Sequence, residues 1–553
     1  MIKKIFWLIF LMSKIITAQW LPTGTPICDT SANSTQFLSP QICSDDKDGA
    51  FICWMDVRSG GLDIYAQHIN KDGKNLWQKN GIQIVNDSAK QQYPKIVNDG
   101  VGGAYIAWED DRDGNTFIYA QRINANGELM WKPNGVKVAE KGGLFISLDR
   151  DVKNGLLVGW NYLNGDLMDD VCVQRLNNSG NRVWADSGIQ VSNRTGTVFS
   201  GDVIVRNDEH GGLYVCWSEG EDNLMPQIYI QRVDSLGQIV FQSNGISLTN
   251  NGKQNSSLNI GNAQFGSLII NWGTSPPPGS LDSSRGYIQR VSIDGQLLWG
   301  QNGIMLRDVG GNGSTRRRNS SDGHGGAFIG YKNFIQHVDS IGNFLWGEDG
   351  VTFTTIKTGF NETVQVLNAE SGIWTIWTQY PGGPQKIYAQ YIDKNGMPLW
   401  GINGKRVSAD SGFQQYSNAV PSNNGNAIIV WEGFRNDNGI YSGVYVSKLD
   451  TSGIVTTTKK DDEEIPESFR LEQNFPNPFN PSTIIKYYLP KNSFVSLKIF
   501  DLLGREITTL VNEKQFYGEQ TIKFSAESIS SGIYFYRLTA GTSSITKKMV
   551  IIH

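Results

Sequence analysis

The chain is poor in the residues that most enzymes use for chemistry, with five histidines and five cysteines in 553 residues. The histidines are His68, His210, His324, His337 and His553, and no two stand at metal-ligand spacing. HExxH, CxxC, GxSxG and a phosphate-cradling glycine loop are all missing. Metal-assisted hydrolysis and nucleophilic catalysis therefore have no visible candidate, and no cofactor is expected. Charge is also scarce: charged residues make up 18% and the formal net charge is −4. That balance argues against a nucleic acid or an anionic membrane as the main partner. The apolar run Ile5–Met12 is too short to span a bilayer, and no other stretch approaches that length, so no transmembrane segment is expected. No stretch carries a convincing helical period.

What is abundant is glycine, at 62 residues, and tryptophan, at 16, and both recur in register. From Trp20 to Val455 one unit of roughly 55 residues repeats eight times, most clearly over 77–128. One aromatic column holds Trp20, Trp77, Trp131, Trp184, Phe241, Trp299, Trp346 and Trp400, and a second holds Trp54, Trp108, Trp160, Trp217, Trp272, Tyr331, Trp377 and Trp431. Fourteen of the sixteen tryptophans fall in these columns, which is scaffold behaviour. A glycine precedes the first column in each unit, from Gly73 to Gly453, where a tight turn needs positive φ. Seven units carry a glutamine in a YAQR-like stretch, Gln67 and Gln121 among them, expected to satisfy buried backbone groups between units.

Each unit reads as four short strands, for example PKIVN (94–98), GAYIAWE (103–109), IYAQRI (118–123) and GVKVA (135–139), separated by turn residues. The strands are apolar on both faces, as expected of small sheets sandwiched between neighbours. Four strands at this period predict a β-propeller, here of eight blades. The chain opens on a fourth-strand pattern, Trp20–Cys28, and its last unit stops before a fourth strand, so the first strand is expected to complete the last blade. Seven blades plus one stray unit is the competing count. Ahead of the repeats, MIKKIFWLIFLMSKIITAQ has the form of a secretory signal peptide (1–18), cut between Ala18 and Gln19.

Export suggests disulfides, but Cys28, Cys43, Cys53, Cys172 and Cys216 fall in apolar strand columns and read best as small buried side chains, with a Cys43–Cys53 bridge as the alternative. After the propeller (19–455) comes a polar run, TTTKKDDEEIPES (456–468), expected to be an exposed linker. Residues 469–553 then alternate as antiparallel strands, predicting a small Ig-like β-sandwich.

This tail carries NFPNPFNPST (474–483), LKIFDLLGREI (497–507), SSGIYFYRL (530–538) and KKMVI (547–551). It resembles the type A C-terminal sorting domain of the type IX secretion system, through Asn474, Pro476, Asn477, Pro478, Phe479, Asn480, Pro481, Gly504, Gly532, Tyr534, Lys547 and Lys548. The resemblance implies export through the periplasm and the outer-membrane translocon. It also implies handling by a sortase-like peptidase, with cleavage in 456–468, followed by surface attachment or release. An ordinary Ig-like accessory domain is the plain alternative. The repeats are similar to WxDxR…DIYAQRID…G…LW units of surface proteins that carry the same tail, which implies a fold and no particular activity.

A glycosidase needs only two acids, and Asp56, Asp110, Asp111, Glu219 and Glu432 follow the second tryptophan column, although a single active site should break a repeat. Glu109, Asp111 and Asp113 in EDDRDGN space oxygens as a calcium loop does, and DDKDG (45–49) is similar, but such runs usually form turns. The WxDxR pairs Asp56/Arg58 and Asp110/Arg112 read as local salt bridges. Departures from the repeat are the insertion SPPPGSLDSSR (275–285) and Arg316, Arg317 and Arg318, a candidate anion site if they face the channel. The expectation is a non-enzymatic binding or structural protein at the cell surface, its ligand a glycan or a matrix protein. A carbohydrate-active enzyme is the alternative.

Overall fold

A computed structural model describes residues 20–29, 38–164, 167–192, 197–200, 203–221, 226–249, 254–261, 266–275, 285–306, 318–331, 333–355, 365–369, 372–379, 384–409, 412–435, 441–453, 469–489, 493–515, 518–527, 529–541 and 543–552. The expected signal peptide and its Ala18–Gln19 cut lie outside the described residues, as do the linker 456–468 and most of the 275–285 insertion. The chain forms two compact units, Met1–Thr458 and Lys459–His553.

The described residues are all-β apart from one short 3-10 turn at Asn423–Gly425, and the fold is of the propeller type. The first unit holds eight antiparallel sheets. Sheet one runs Gln41–Ser44, Ala50–Asp56, Asp63–Ile69 and Ile82–Gln83, and sheet two runs Gln91–Asn98, Ala104–Asp110, Phe117–Ile123 and Val136–Lys137. Sheets three to seven follow the same order, sheet four with its first strand divided into Thr197–Ser200 and Ile204–Asn207. Sheet eight differs. Its strands Phe413–Pro421, Ala427–Arg435 and Tyr441–Leu449 are completed by Thr25–Asp29 from the start of the chain, antiparallel to Tyr441–Leu449.

Every residue of Ala50–Asp56 and of Ala104–Asp110 is buried, because both faces of each sheet are covered. The alternation is visible in sheet one. Ala50, Ile52 and Trp54 pack with Ile428 and Val444 of sheet eight, whereas Phe51, Cys53 and Met55 pack with Ala104, Ile106 and Trp108 of sheet two. Further cores join each sheet to the next, up to sheets seven and eight. The cores therefore succeed one another cyclically, with sheet eight returning to sheet one.

The first aromatic column ties each sheet to its successor. Trp77 Nε1 donates to Ala125 O at 3.0 Å, Trp131 Nε1 to Asn178 O at 3.0 Å, and Trp400 Nε1 to Thr451 O at 3.1 Å. Trp20, beside the closing strand, makes the same bond to Lys71 O of sheet one at 3.0 Å. The glycine before the column has two reasons to be glycine: Gly73 and Gly127 take φ of 78° and 86°, and a Cβ would stand 3.1 Å from Trp20 and Trp77 respectively.

Two details differ from the sequence expectation. Fourth strands are shorter than GVKVA suggests: Val136 and Lys137 pair, and Val138 N adds one bond to Ile118 O at 2.9 Å before the chain leaves for the next sheet, and short outer strands leave little edge exposed. The first strands of sheets two, three, five and eight are longer than PKIVN and carry a β-bulge, between Gln92 and Lys95 in sheet two.

In the second unit, Arg470–Leu471, Ser482–Leu489 and Gly518–Ser525 form one sheet, and Ser493–Phe500, Glu506–Gln515, Gly532–Ala540 and Ser543–Ile551 form another. Leu471, Ile485 and Phe524 of the first meet Leu497, Tyr536 and Met549 of the second in a single core.

Candidate functional site

Most of the repeated polar residues hold the scaffold together. Gln121 is fully buried and makes three bonds: its Nε2 donates to Lys132 O at 3.0 Å, and its Oε1 accepts from Arg122 N at 2.9 Å and Trp131 N at 3.0 Å. Gln67, Gln231 and Gln390 repeat the pattern. These bonds lie within one sheet, across its outer turn, and not between units as expected. The next residue does reach across: Arg122 Nε donates to Asp99 Oδ2 at 2.9 Å and its Nη1 to Asn178 O of sheet three at 3.2 Å. His68 takes this role in sheet one, with Nε2 2.9 Å from Asp45 Oδ2 and Nδ1 3.2 Å from Ala125 O, and His337 stands 3.0 Å from Asp322.

The WxDxR element is a local clamp. Asp110, fully buried, accepts from Trp108 Nε1 at 2.6 Å and pairs with Arg112, whose guanidinium lies 4.1 Å from the Tyr119 ring centre. Asp56, Trp54, Arg58 and Tyr65 do the same in sheet one. The remaining acids are engaged separately. Asp111 accepts from Thr116, Asp113 pairs with Lys137 at 2.7 Å, and Glu109 accepts from Phe145 N at 2.8 Å. Lys137 holds the Asp113 carboxyl below its ordinary value. The structure thus gives Glu109, Asp111 and Asp113 three different partners, and among the described residues no group of His, Cys, Asp and Glu gathers at metal-binding distance. In DDKDG, Asp45 accepts from Lys47 N and Gly49 N as a turn residue. Glu219 accepts from Trp217 Nε1 at 2.8 Å.

All five cysteines are buried and unbridged, and burial pushes the thiols of Cys43, Cys53, Cys172 and Cys216 up. Cys43 faces Phe51 across the ladder and Cys53 faces Gln41, so the two are not directly opposite each other. Arg318 opens the first strand of sheet six, while Arg316 and Arg317 lie outside the described residues.

The feature that is not scaffold sits at the first-strand bulges. Tyr93, Phe145 and Tyr416 occupy equivalent bulge positions in sheets two, three and eight and take φ of 52°, 58° and 49°. Bulky residues avoid that region. Their side chains are 54%, 51% and 38% exposed, the only exposed aromatics of the first unit among side chains described. Ser39, with φ of 45°, holds the same place in sheet one, six residues ahead of the turn residue Asp45 as Tyr93 is ahead of Asp99. The first strands of sheets eight, one, two and three are successive neighbours. Tyr416, Ser39, Tyr93 and Phe145 therefore form an arc, at the end of the sheets where second and third strands connect.

The preceding sheet holds three of these positions. Tyr93 N donates to Met55 Sδ at 3.2 Å, Phe145 N to Glu109 Oε1 at 2.8 Å, and Leu38 N, next to Ser39, to Glu432 Oε2 at 3.1 Å. Glu109 and Glu432 are buried beneath the arc, and burial pushes both carboxyls up to about 7. Nothing in the sequence marked these bulges except Pro40 and Pro94, each following its bulge residue.

In the second unit the two ends of the sorting motif meet. Asn474, almost fully buried, donates from its backbone to Tyr536 Oη at 2.8 Å and from its side chain to Thr483 Oγ1 at 3.0 Å and Pro476 O at 3.2 Å. Asn477 Oδ1 accepts from Val550 N at 2.8 Å, and Phe479, in the core, donates to Val550 O at 3.1 Å. Pro478 and Asn480 are exposed, and Pro481 O accepts from Ala526 N. Gly504 closes a turn at φ of 77°, Gly532 opens a strand, and Tyr534 Oη donates to Ser530 O at 3.0 Å. Lys547 and Lys548 lie on the last strand opposite Tyr536 and Phe535.

The chain is thus an all-β protein of propeller type with a separate C-terminal unit. Residues 473–552 match the secretion system C-terminal sorting domain family, which makes this tail a type IX sorting domain and directs the protein to the cell surface or beyond. No curated protein matches the chain. Among solved structures it is similar to an α-L-arabinanase of Penicillium chrysogenum complexed with arabinobiose, at 11% identity over 66% of this chain and 94% of that one, TM-score 0.34. A protein of unknown function from Dyadobacter fermentans is 10% identical over 66% and 96%, TM-score 0.35, and an endo-arabinase from Bacteroides thetaiotaomicron is 12% identical over 56% and 95%, TM-score 0.28. Scores this low carry no argument about activity.

Proposed function

We propose that residues 19–455 form a closed eight-bladed β-propeller that works as a binding module, released or displayed at the cell surface by the type IX route. The observation that carries the reading is the sorting-domain match at residues 473–552. Eight cores in cyclic order and the strand Thr25–Asp29 completing the last sheet support the ring. In this reading 1–18 is a signal peptide cut between Ala18 and Gln19, 469–553 is an Ig-like sandwich read by the translocon, and a sortase-like peptidase cleaves within 456–468. Binding is favoured over catalysis because Asp56, Asp110 and Glu219 hold tryptophan or arginine side chains, whereas Tyr93 and Phe145 turn strained, half-exposed rings to solvent. One observation favours the second reading, a carbohydrate-active enzyme: Glu109 and Glu432 have carboxyls raised to about 7, the range of a general acid. Each is buried and already accepts a backbone N–H, which is the bonding of a structural acid.

The experiment is expression in a type IX-competent host of the full chain and of a form ending at residue 468, with cell fractionation. The full chain should reach the surface or medium and the truncated form should stay in the periplasm. Equal export of both would sink the reading.

A further inference from the structure

We propose that the arc of Tyr416, Ser39, Tyr93 and Phe145 binds a neutral glycan, whose sugar rings stack on the three exposed aromatic faces. This rests on the binding-module reading. Three bulky residues at equivalent bulges share a backbone conformation that such residues avoid, and Tyr93 and Phe145, about half exposed, lie outside the hydrophobic cores on either side of their sheets. Strain of this kind, maintained by the preceding sheet through Met55 and Glu109, is characteristic of ligand clamps.

The chemistry around the rings selects the ligand. An aromatic face is electron-rich and attracts the C–H face of a sugar. Within two residues of the described arc positions the side chains are apolar, amide or hydroxyl, as at Gln92, Gln415, Asn418 and Ser147, with Lys95 the single charge. Asn418 Nδ2 donates to Gln41 Oε1 at 3.3 Å, linking sheets eight and one at the Ser39 gap. Glu109 and Glu432, the carboxylates beneath the arc, are buried and each accepts a backbone N–H. A peptide added as an extra strand would need a flat edge, which the bulges interrupt. Rings on sheets eight, two and three, with Ser39 on sheet one between the first two, suit a polymer that runs across several sheets.

The test is titration calorimetry of the full chain with cellohexaose, mannohexaose and xylohexaose, with polygalacturonate and a proline-rich decapeptide as contrasts. At least one neutral hexasaccharide should bind. Tyr93→Asn and Phe145→Asn, which keep a residue tolerant of positive φ, should each weaken binding by about fivefold. Ser39→Tyr fills the gap in the arc and should tighten binding by a similar factor. This gain guards against losses that reflect misfolding alone. The proposal is overturned if no neutral hexasaccharide binds, or if Ser39→Tyr and the double variant Tyr93→Asn/Phe145→Asn all match the parent. Binding only of polygalacturonate or the peptide, lost in the double variant, also overturns it but leaves the binding-module reading standing. Release of shorter sugars would instead overturn that reading in favour of an enzyme.

Discussion

Replacing Trp20 with alanine tests whether the ring is closed by the same forces that join its other sheets. Trp20 is 1% exposed, lies against Gly73, and donates to Lys71 O at 3.0 Å, so it bridges sheet eight to sheet one. Trp131 makes the matching contact between sheets two and three, with Nε1 3.0 Å from Asn178 O. Removing a buried tryptophan ring costs about 3–5 kcal/mol. For a unit of this size each kcal/mol moves the midpoint by about 2 °C, so calorimetry of the full chain should show the first unit melting about 6–10 °C lower. Trp20→Phe keeps most of the ring but strands the Lys71 carbonyl, a loss of about 1–2 kcal/mol and a fall of about 2–4 °C. The comparison with Trp131→Ala decides the matter. In a closed ring Trp20→Ala and Trp131→Ala cost about the same. If Trp20→Ala shifts the midpoint by less than about 1 °C while Trp131→Ala shifts it fully, the sheet eight to sheet one contact is not holding the unit together and the closure argument fails.

The raised carboxyls of Glu109 and Glu432 make stability fall as pH rises. Both bind protons more tightly folded than unfolded, so their contribution is fully present below about pH 4 and is lost as pH passes about 7. Melting temperature measured from pH 5 to 8 should drop, and Glu109→Gln with Glu432→Gln, which keep an acceptor for Phe145 N and Leu38 N, should flatten the slope; an unchanged slope would refute the assignment. Asp110→Ala leaves Arg112 and the Trp108 indole N–H without their buried acceptor, so it should destabilise the first unit by about 3–5 kcal/mol in urea melts, against under about 1 kcal/mol for the exposed Asp186→Ala. The five buried thiols should not react with a thiol reagent until the chain is unfolded, and the protein should migrate alike with and without reductant; native reaction at Cys43 or Cys53 would contradict their burial.

The scaffold was legible because its rules are local and repeated. A tryptophan column, a glycine forced to positive φ and a buried glutamine each recur at one spacing, and the structure gives each a single role, as at Trp131, Gly127 and Gln121. The sorting tail was legible as motifs, but not the contact between its opening and its end, where Asn477 and Phe479 bond to Val550. The arc was barely legible, with only Pro40 and Pro94 to mark two of its positions. Tyr93, Phe145 and Tyr416 are ordinary residues for a strand, and only backbone conformation turns them outward. Their common place, six positions ahead of a turn, is obscured because sheet one has Ser39 there. The acids misled for the complementary reason. Their spacing in EDDRDGN suggests shared chelation, but neighbouring residues of a turn and strand point to different sides, toward Phe145 N, Thr116 and Lys137.

The place of the seam has a mechanical consequence. Were the chain to begin at Gln41 and end with a complete eighth sheet, the two chain ends would meet at a boundary between sheets, and only side-chain packing would resist opening there. Because Thr25–Asp29 is instead laced into Tyr441–Leu449, prying the ring apart at its ends requires breaking a ladder of backbone hydrogen bonds. That pairing joins residues more than four hundred apart, so it gains nothing until nearly the whole unit is available to fold. The proposed ring should therefore be slow to complete and, once complete, hard to pull open from its ends, which would suit a protein exported to the cell surface or beyond, where no chaperone can rebuild it.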